Sequence, residues 1–217
     1  MNKDADKSTT AEFLEKIKKL ADELSIAVSR LLNNGFEGNI NHYLRDIQVI
    51  RRFYKNCYEV EQALEKLTES LISLFRPRIL IFSTDIISDA AIDLTGLMHK
   101  HYCPTTCIIR VPCSSMIRPD LILYAFYCGF DGVFIAADGT DCPYLDDCLE
   151  KTARNVQKAY ELLKKAGIEP ERLKMSGICS VCIEPFVKSV NEFADRLKRL
   201  GPIGIKIPAL VKVMQYE

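Results

Sequence analysis

No run of about 18 uncharged apolar residues occurs in this sequence, so hydropathy gives no reason to expect a membrane-spanning helix. The first ten residues, MNKDADKSTT, have no apolar centre; a secretory signal is therefore not expected, and a cytoplasmic location is. Charge of one sign is not in excess either. Twenty-nine Lys and Arg balance 29 Asp and Glu, for a formal net charge of zero, which removes the sequence-wide electrostatic argument for a nucleic-acid or anionic-membrane partner. Neither GxGxxG nor a P-loop is present, so no nucleotide-phosphate cradle is expected. The three histidines, His42, His99 and His101, show no metal-ligand spacing with the loops discussed below. No carboxylate or histidine pair can be placed in the expected crevice, and no catalytic residue is assigned.

What the chain does have is cysteine: nine in 217 residues. Without a secretory signal, this number points away from a disulfide framework and towards reduced thiols, metal ligation or redox chemistry. Nearly half of the residues are apolar, enough for a substantial core.

Thr9 with Glu12 forms a capping-box pattern, and Phe13, Ile17, Leu20, Leu24, Ala27, Val28 and Leu31 follow at helical spacing. Asn33-Asn34-Gly35 ends that helix. A second helical pattern runs from Ile40 to Phe75, with a break near Asn56-Cys57. From Arg78 on, short apolar runs alternate with longer helical patterns. Strands are expected at Arg78–Phe82, Cys107–Val111, Gly132–Ala136 and Leu173–Ser176, and helices at Ser88–His101, Arg118–Cys128, Leu145–Ala166 and Ile183–Leu200. Such alternation calls for an α/β fold: a flavodoxin-like parallel sheet of about four strands, buried between helices on both faces and preceded by an all-α N-terminal region. The expected division is 1–76 helical and 77–217 α/β. Pro202 to Glu217 is either an edge strand or a strapping tail.

In an open parallel sheet, ligands bind beyond the carboxyl ends of the strands. Three successive loops there carry cysteine: Pro112-Cys113-Ser114-Ser115, Asp138-Gly-Thr-Asp-Cys142-Pro143 and Gly177-Ile-Cys179-Ser-Val-Cys182. Cys113 and Cys142 are expected to face one crevice. The Cys179/Cys182 pair has three readings: two metal ligands, two small buried residues of a turn, or a thiol/disulfide couple. Cys103 and Cys107 sit at the opposite edge; Cys128 reads as core packing and Cys57 as structural. Cys148 reads as buried, with a position facing Cys142 as the alternative. Asp138 and Asp141 read as turn formers or N-caps.

The segments RVPCSS, IRPDLILYAF, GTDCPY, AGIEPERLKMS and FVKSVNEFADRLKRLGP resemble the delta subunit of the methyl-viologen-reducing hydrogenase. That small iron-sulfur protein of methanogenic archaea and their relatives links an electron donor to heterodisulfide reductase. The resemblance implies a [2Fe–2S] cluster with cysteines in three places. Cys113 falls on the second place and Cys142 on the last cysteine of the third. Ser83, Thr84 and Ile87 stand where the first group is expected, and Ala137 or Asp138 where the earlier cysteine of the third loop is. A four-thiolate site would then be completed as Cys113, Cys142, Cys179 and Cys182. The implied role is an electron-transfer or adaptor subunit with hydrogenase-type or heterodisulfide-reductase-type protein partners. The alternatives are a zinc-binding module and a cluster-free scaffold of the same fold.

Overall fold

The computed structural model describes Glu15, Lys19 and residues 40–53, 58–138 and 142–203. Apart from Glu15 and Lys19, which are helical, the helix expected from Thr9 to Leu31 lies outside these residues, as do the Asn56-Cys57 break, Asp141 and nearly all of the C-terminal segment. The chain divides into two compact units, Met1–Phe75 and Arg76–Glu217. In the first, α1 (Ile40–Phe53) and α2 (Tyr58–Ser73) bury Ile40, Leu44, Ile47, Leu64, Leu71 and Phe75 in one cluster. The three-and-four spacing of these residues puts them on one stripe of each helix.

The second unit holds β1 (Ile79–Thr84), α3 (Ser88–Leu97), β2 (Thr106–Val111), a 3-10 turn (Ser114–Met116), α4 (Pro119–Tyr127), β3 (Gly132–Ala137), α5 (Cys148–Lys165), β4 (Leu173–Gly177) and α6 (Ile183–Leu200). The four strands are parallel in the order β2-β1-β3-β4, as in the flavodoxin-like arrangement. Alternation along each strand divides its side chains between two layers. Leu80, Phe82, Val133 and Ile135 pack with Ile122 and Phe126 of α4 and with Val156 and Leu163 of α5. Ile79, Ile81, Phe134 and Ala136 face Ala91 and Ile92 of α3 and Phe186, Phe193 and Leu197 of α6. Every residue of β1 and β3 is therefore buried. No helix among the described residues is long and apolar enough to cross a membrane.

Two expectations are corrected. The sequence predicts a buried β2, yet Cys107, Ile108, Ile109 and Arg110 are exposed, because its position at the sheet edge leaves it partly uncovered. Cys128, which reads as core packing in the sequence, is exposed: it caps the C-terminal end of α4, two residues past Phe126, the last buried residue of that helix.

Close packing of α6 on β3 depends on Gly132. A Cβ built there would lie 2.5 Å from Leu197 Cδ1 and 2.8 Å from Phe193 Cζ, side chains that are themselves fully buried. Gly132→Ala is expected to lower stability by about 1–3 kcal/mol through overpacking. Urea unfolding of the full chain measures this, and an unchanged midpoint would contradict it.

Candidate metal centre: thiols at the carboxyl rim of the sheet

The carboxyl ends of the strands lie at one edge, since Thr84 is in register with Val111, Ser83 with Ala136 and Ala137 with Gly177. Cys113 follows β2 by two residues and begins the 3-10 turn. That turn packs against β1, β3 and α5, so the chain leaving the edge strand is carried back across the sheet before α4 starts. Cys142 lies in the loop after β3, and Cys148 is the first residue of α5.

The three Sγ atoms all lie within 4.8 Å of one another. Cys113 Sγ is 3.0 Å from Cys148 Sγ and 3.6 Å from Cys142 Sγ. Cys113 and Cys148 are 4% and 2% exposed, while Cys142 is half-buried. Hydroxyls from the same turn hold the group: Ser115 Oγ lies 3.0 Å from Cys113 Sγ, and Ser114 Oγ lies 3.4 Å from Cys148 Sγ and 2.9 Å from Thr152 Oγ1. Asn155 Nδ2 donates to Ser115 O at 3.2 Å and fastens the turn to α5.

Burial raises both buried thiols, but their neighbours separate them. At Cys148, hydrogen bonds with Ser114, Cys113, the Ser115 backbone and Cys142 outweigh burial and bring the thiol from 9.0 down to about 7. At Cys113, burial dominates, and the bonds to Cys148 and Cys142 add to it against Ser115, pushing the thiol up to about 11. Cys148 is thus the more readily ionised of the two.

A depressed Cys148 pKa means the unfolded chain binds more protons between pH 7 and 9, so this thiol adds stability as pH rises through that window and loses it as pH falls through 7. The raised Cys113 pKa acts oppositely between pH 9 and 11. The unfolding free-energy difference between the reduced wild type and Cys148→Ser is expected to grow from pH 7 to 9; a flat difference would refute the assignment.

The four cysteines expected to share a site do not all meet. Cys113 and Cys142 come together with Cys148, whereas Cys179 and Cys182 are bonded to each other as a disulfide. Strand order gives the reason: Cys113 follows one edge strand and Cys179 the other. Three strand spacings, about 14 Å, separate those edges, and the 3-10 turn carries Cys113 only as far as β3 and α5. Cys148 stands in the sequence one turn into the helix after Pro143, where burial and a position in the site are the same finding.

The positions of the expected first cysteine group form another structure. Thr84 Oγ1 donates to Asp138 Oδ1, Asp138 being one of the two positions, with Ala137, expected for the earlier cysteine of the third loop. Ser83 Oγ donates to Asp89 Oδ1 at 2.9 Å, and Asp89 pairs with Arg110 at 2.5 Å. Ser88 Oγ donates to Ala136 O at 2.8 Å. The Thr84 and Ser88 hydroxyls thus tie the end of β1 and the start of α3 to β3 at the strand-order reversal, and Ile87 offers no ligand atom.

Three thiolates within 4.8 Å suit one tetrahedral ion, because a metal–sulfur bond of about 2.3 Å sets the sulfur–sulfur edge near about 3.8 Å. A [2Fe–2S] cluster needs four ligands, and the described residues assemble only three thiols here. The residues present therefore do not fit a four-thiolate cluster.

A flavodoxin-like α/β unit with thiols gathered at its carboxyl rim is the class that fold and site define. The chain belongs to the family described as methyl-viologen-reducing hydrogenase, delta subunit, which matches residues 79–201, more than half of its length. It is 36% identical over 133 residues to the iron-sulfur subunit of the vhc F420-non-reducing hydrogenase of Methanococcus voltae, covering 61% of this chain and 92% of that protein. With the iron-sulfur subunit of the vhu F420-non-reducing hydrogenase of Methanopyrus kandleri, identity is 39% over 115 residues, or 52% of this chain and 86% of the relative. The matching subunit of the ferredoxin:CoB-CoM heterodisulfide reductase of Methanosarcina mazei is 33% identical over 132 residues, which are 60% of this chain and only 16% of that longer protein.

Proposed function

We propose that this protein is an adaptor subunit of a redox assembly of the hydrogenase or heterodisulfide-reductase type, and that Cys113, Cys142 and Cys148 form its metal centre. The observation that carries the metal assignment is the convergence of three thiols from two loops and a helix start within 4.8 Å. Membership of the delta-subunit family supports the assembly. A single divalent ion of the zinc class suits this donor set, with the fourth position left to Ser115, water or a partner's ligand. Its role is to tie the loops after β2 and β3 to α5, giving the rim a fixed shape for docking. No chemical step on a substrate is assigned.

The second reading is an electron-transfer subunit with an iron-sulfur cluster at the same rim, which would need a fourth ligand from outside the three-thiol group; it is favoured by relatives that are named iron-sulfur subunits. Purification without oxygen, followed by metal and sulfide analysis, separates the two. Colourless protein with about one zinc per chain is expected. Brown protein with equal iron and acid-labile sulfide would replace the first reading with the second, and metal-free protein would remove both. Co-expression with the long heterodisulfide reductase subunit that matches this chain tests the adaptor role. A complex that survives gel filtration is expected, and its absence with every hydrogenase-type and reductase-type subunit tried would overturn it.

A further inference from the structure

Away from the three-thiol group, the loop after β4 carries the disulfide Cys179–Cys182, which the metal centre does not use. Six other cysteines among the described residues are free thiols, so this bond is selective. A ring closed over a sequence separation of three constrains little of the unfolded chain, and stabilisation gives it weak justification. Its placement is open: Ser180 and Val181 between the cysteines are exposed, Val181 at 73%, and both cysteines are half-buried. Backbone hydrogen bonds form the turn that brings the pair together. Cys182 N–H donates to Cys179 O at 3.0 Å, and Phe186 N–H to Cys182 O at 3.0 Å. Cys182 is the N-cap of the 18-residue α6 and packs against the core that includes Phe186 and Val190.

We propose that Cys179 and Cys182 form a two-electron exchange site for a dithiol, separate from the metal centre. One thiolate of the dithiol attacks Cys179 Sγ, the Cys179–Cys182 bond breaks, and its electron pair leaves on Cys182 Sγ. That sulfur is the better leaving group because the N-terminus of α6 favours a thiolate there. The second thiolate of the dithiol then attacks the mixed disulfide and releases Cys179. In total the dithiol becomes a disulfide, and the protein pair takes up its two electrons and two protons. The same steps in reverse return them.

The test uses the oxidised full chain with two sources of the same chemistry, the small dithiol dihydrolipoamide and the protein dithiol of reduced thioredoxin. Acid quenching, alkylation and peptide mass mapping follow the pair over time. At least one reductant is expected to open the bond roughly threefold or more faster than in the chain unfolded in urea, since a leaving thiol of lower pKa departs faster. Oxidised lipoamide is expected to close it again. With oxidised lipoamide as the oxidant, Cys182→Ser should stop at a mixed disulfide on Cys179, whereas the wild-type pair goes on to its internal bond and releases dihydrolipoamide. Opening no faster than in urea by both reductants, or a pair that oxidised lipoamide leaves as two thiols, would overturn the proposal. The wild-type rate needs no variant, so a substitution that fails to fold leaves the test intact. The outcome is also independent of metal content.

Discussion

Arg172→Met is expected to lower the unfolding free energy by about 3–5 kcal/mol. The side chain is fully buried and makes four contacts: Nε to Glu169 Oε2 at 2.8 Å, Nη1 to Asp131 O at 3.2 Å, and Nη2 to Leu200 O at 3.2 Å and Gly201 O at 2.8 Å. Burial lowers its pKa and Asp131 opposes the shift; a guanidinium stays protonated regardless. Methionine fills much of the volume but supplies no donors, so the buried carbonyl of Asp131 and the part-buried carbonyls of Leu200 and Gly201 lose a partner. The carboxylate of Asp131 keeps its bonds from the backbone N–H groups of Arg78 and Ile203, which limits the loss. Arg172→Lys should recover only part of it, because an ammonium cannot span the same fork. Urea unfolding followed by circular dichroism measures both variants, and a cost below about 1 kcal/mol for the methionine variant would sink the argument. These contacts lie at the amino edge of the sheet, remote from the thiol rim, so metal content per folded chain should not change.

Cys148→Ala should reduce metal affinity by two to three orders of magnitude. Structural zinc sites are worth about 10–16 kcal/mol, or about 2.5–4 kcal/mol for each of four ligands. Alanine removes a thiol that is 2% exposed and that ionises near pH 7, the ligand that costs least to deprotonate. Cys113→Ala should match it, while Cys179→Ala and Cys182→Ala should leave metal content unchanged. Competition with a coloured chelator gives the affinities. Loss of metal in the Cys179 variant but not in the Cys148 variant would restore the ligand set expected from the sequence and reject the three-thiol set.

Much of the fold was legible because periodicity is a local property. Strand and helix patterns from Ile79 to Leu200 follow from alternation and from three-and-four spacing, and the helix expected at Ile183–Leu200 has those bounds in the structure. What misled at Cys107 and Cys128 was coverage. An edge strand and a core strand share the same β-branched composition, and only the sheet order β2-β1-β3-β4 reveals which one the helices leave exposed.

The candidate site divides in the same way. Composition, periodicity and motif were enough to read an α/β fold, a likeness to the delta-subunit family and cysteines gathered in loops at one end of the strands. Which thiols meet follows from the three-dimensional path of the chain. The crossover after β2 returns Cys113 over the sheet to Cys148, and the turn after β4 closes Cys179 on Cys182. A sulfur atom's neighbours depend on the spacing and order of strands distant in sequence, and a pattern of residues along the chain carries no record of that distance.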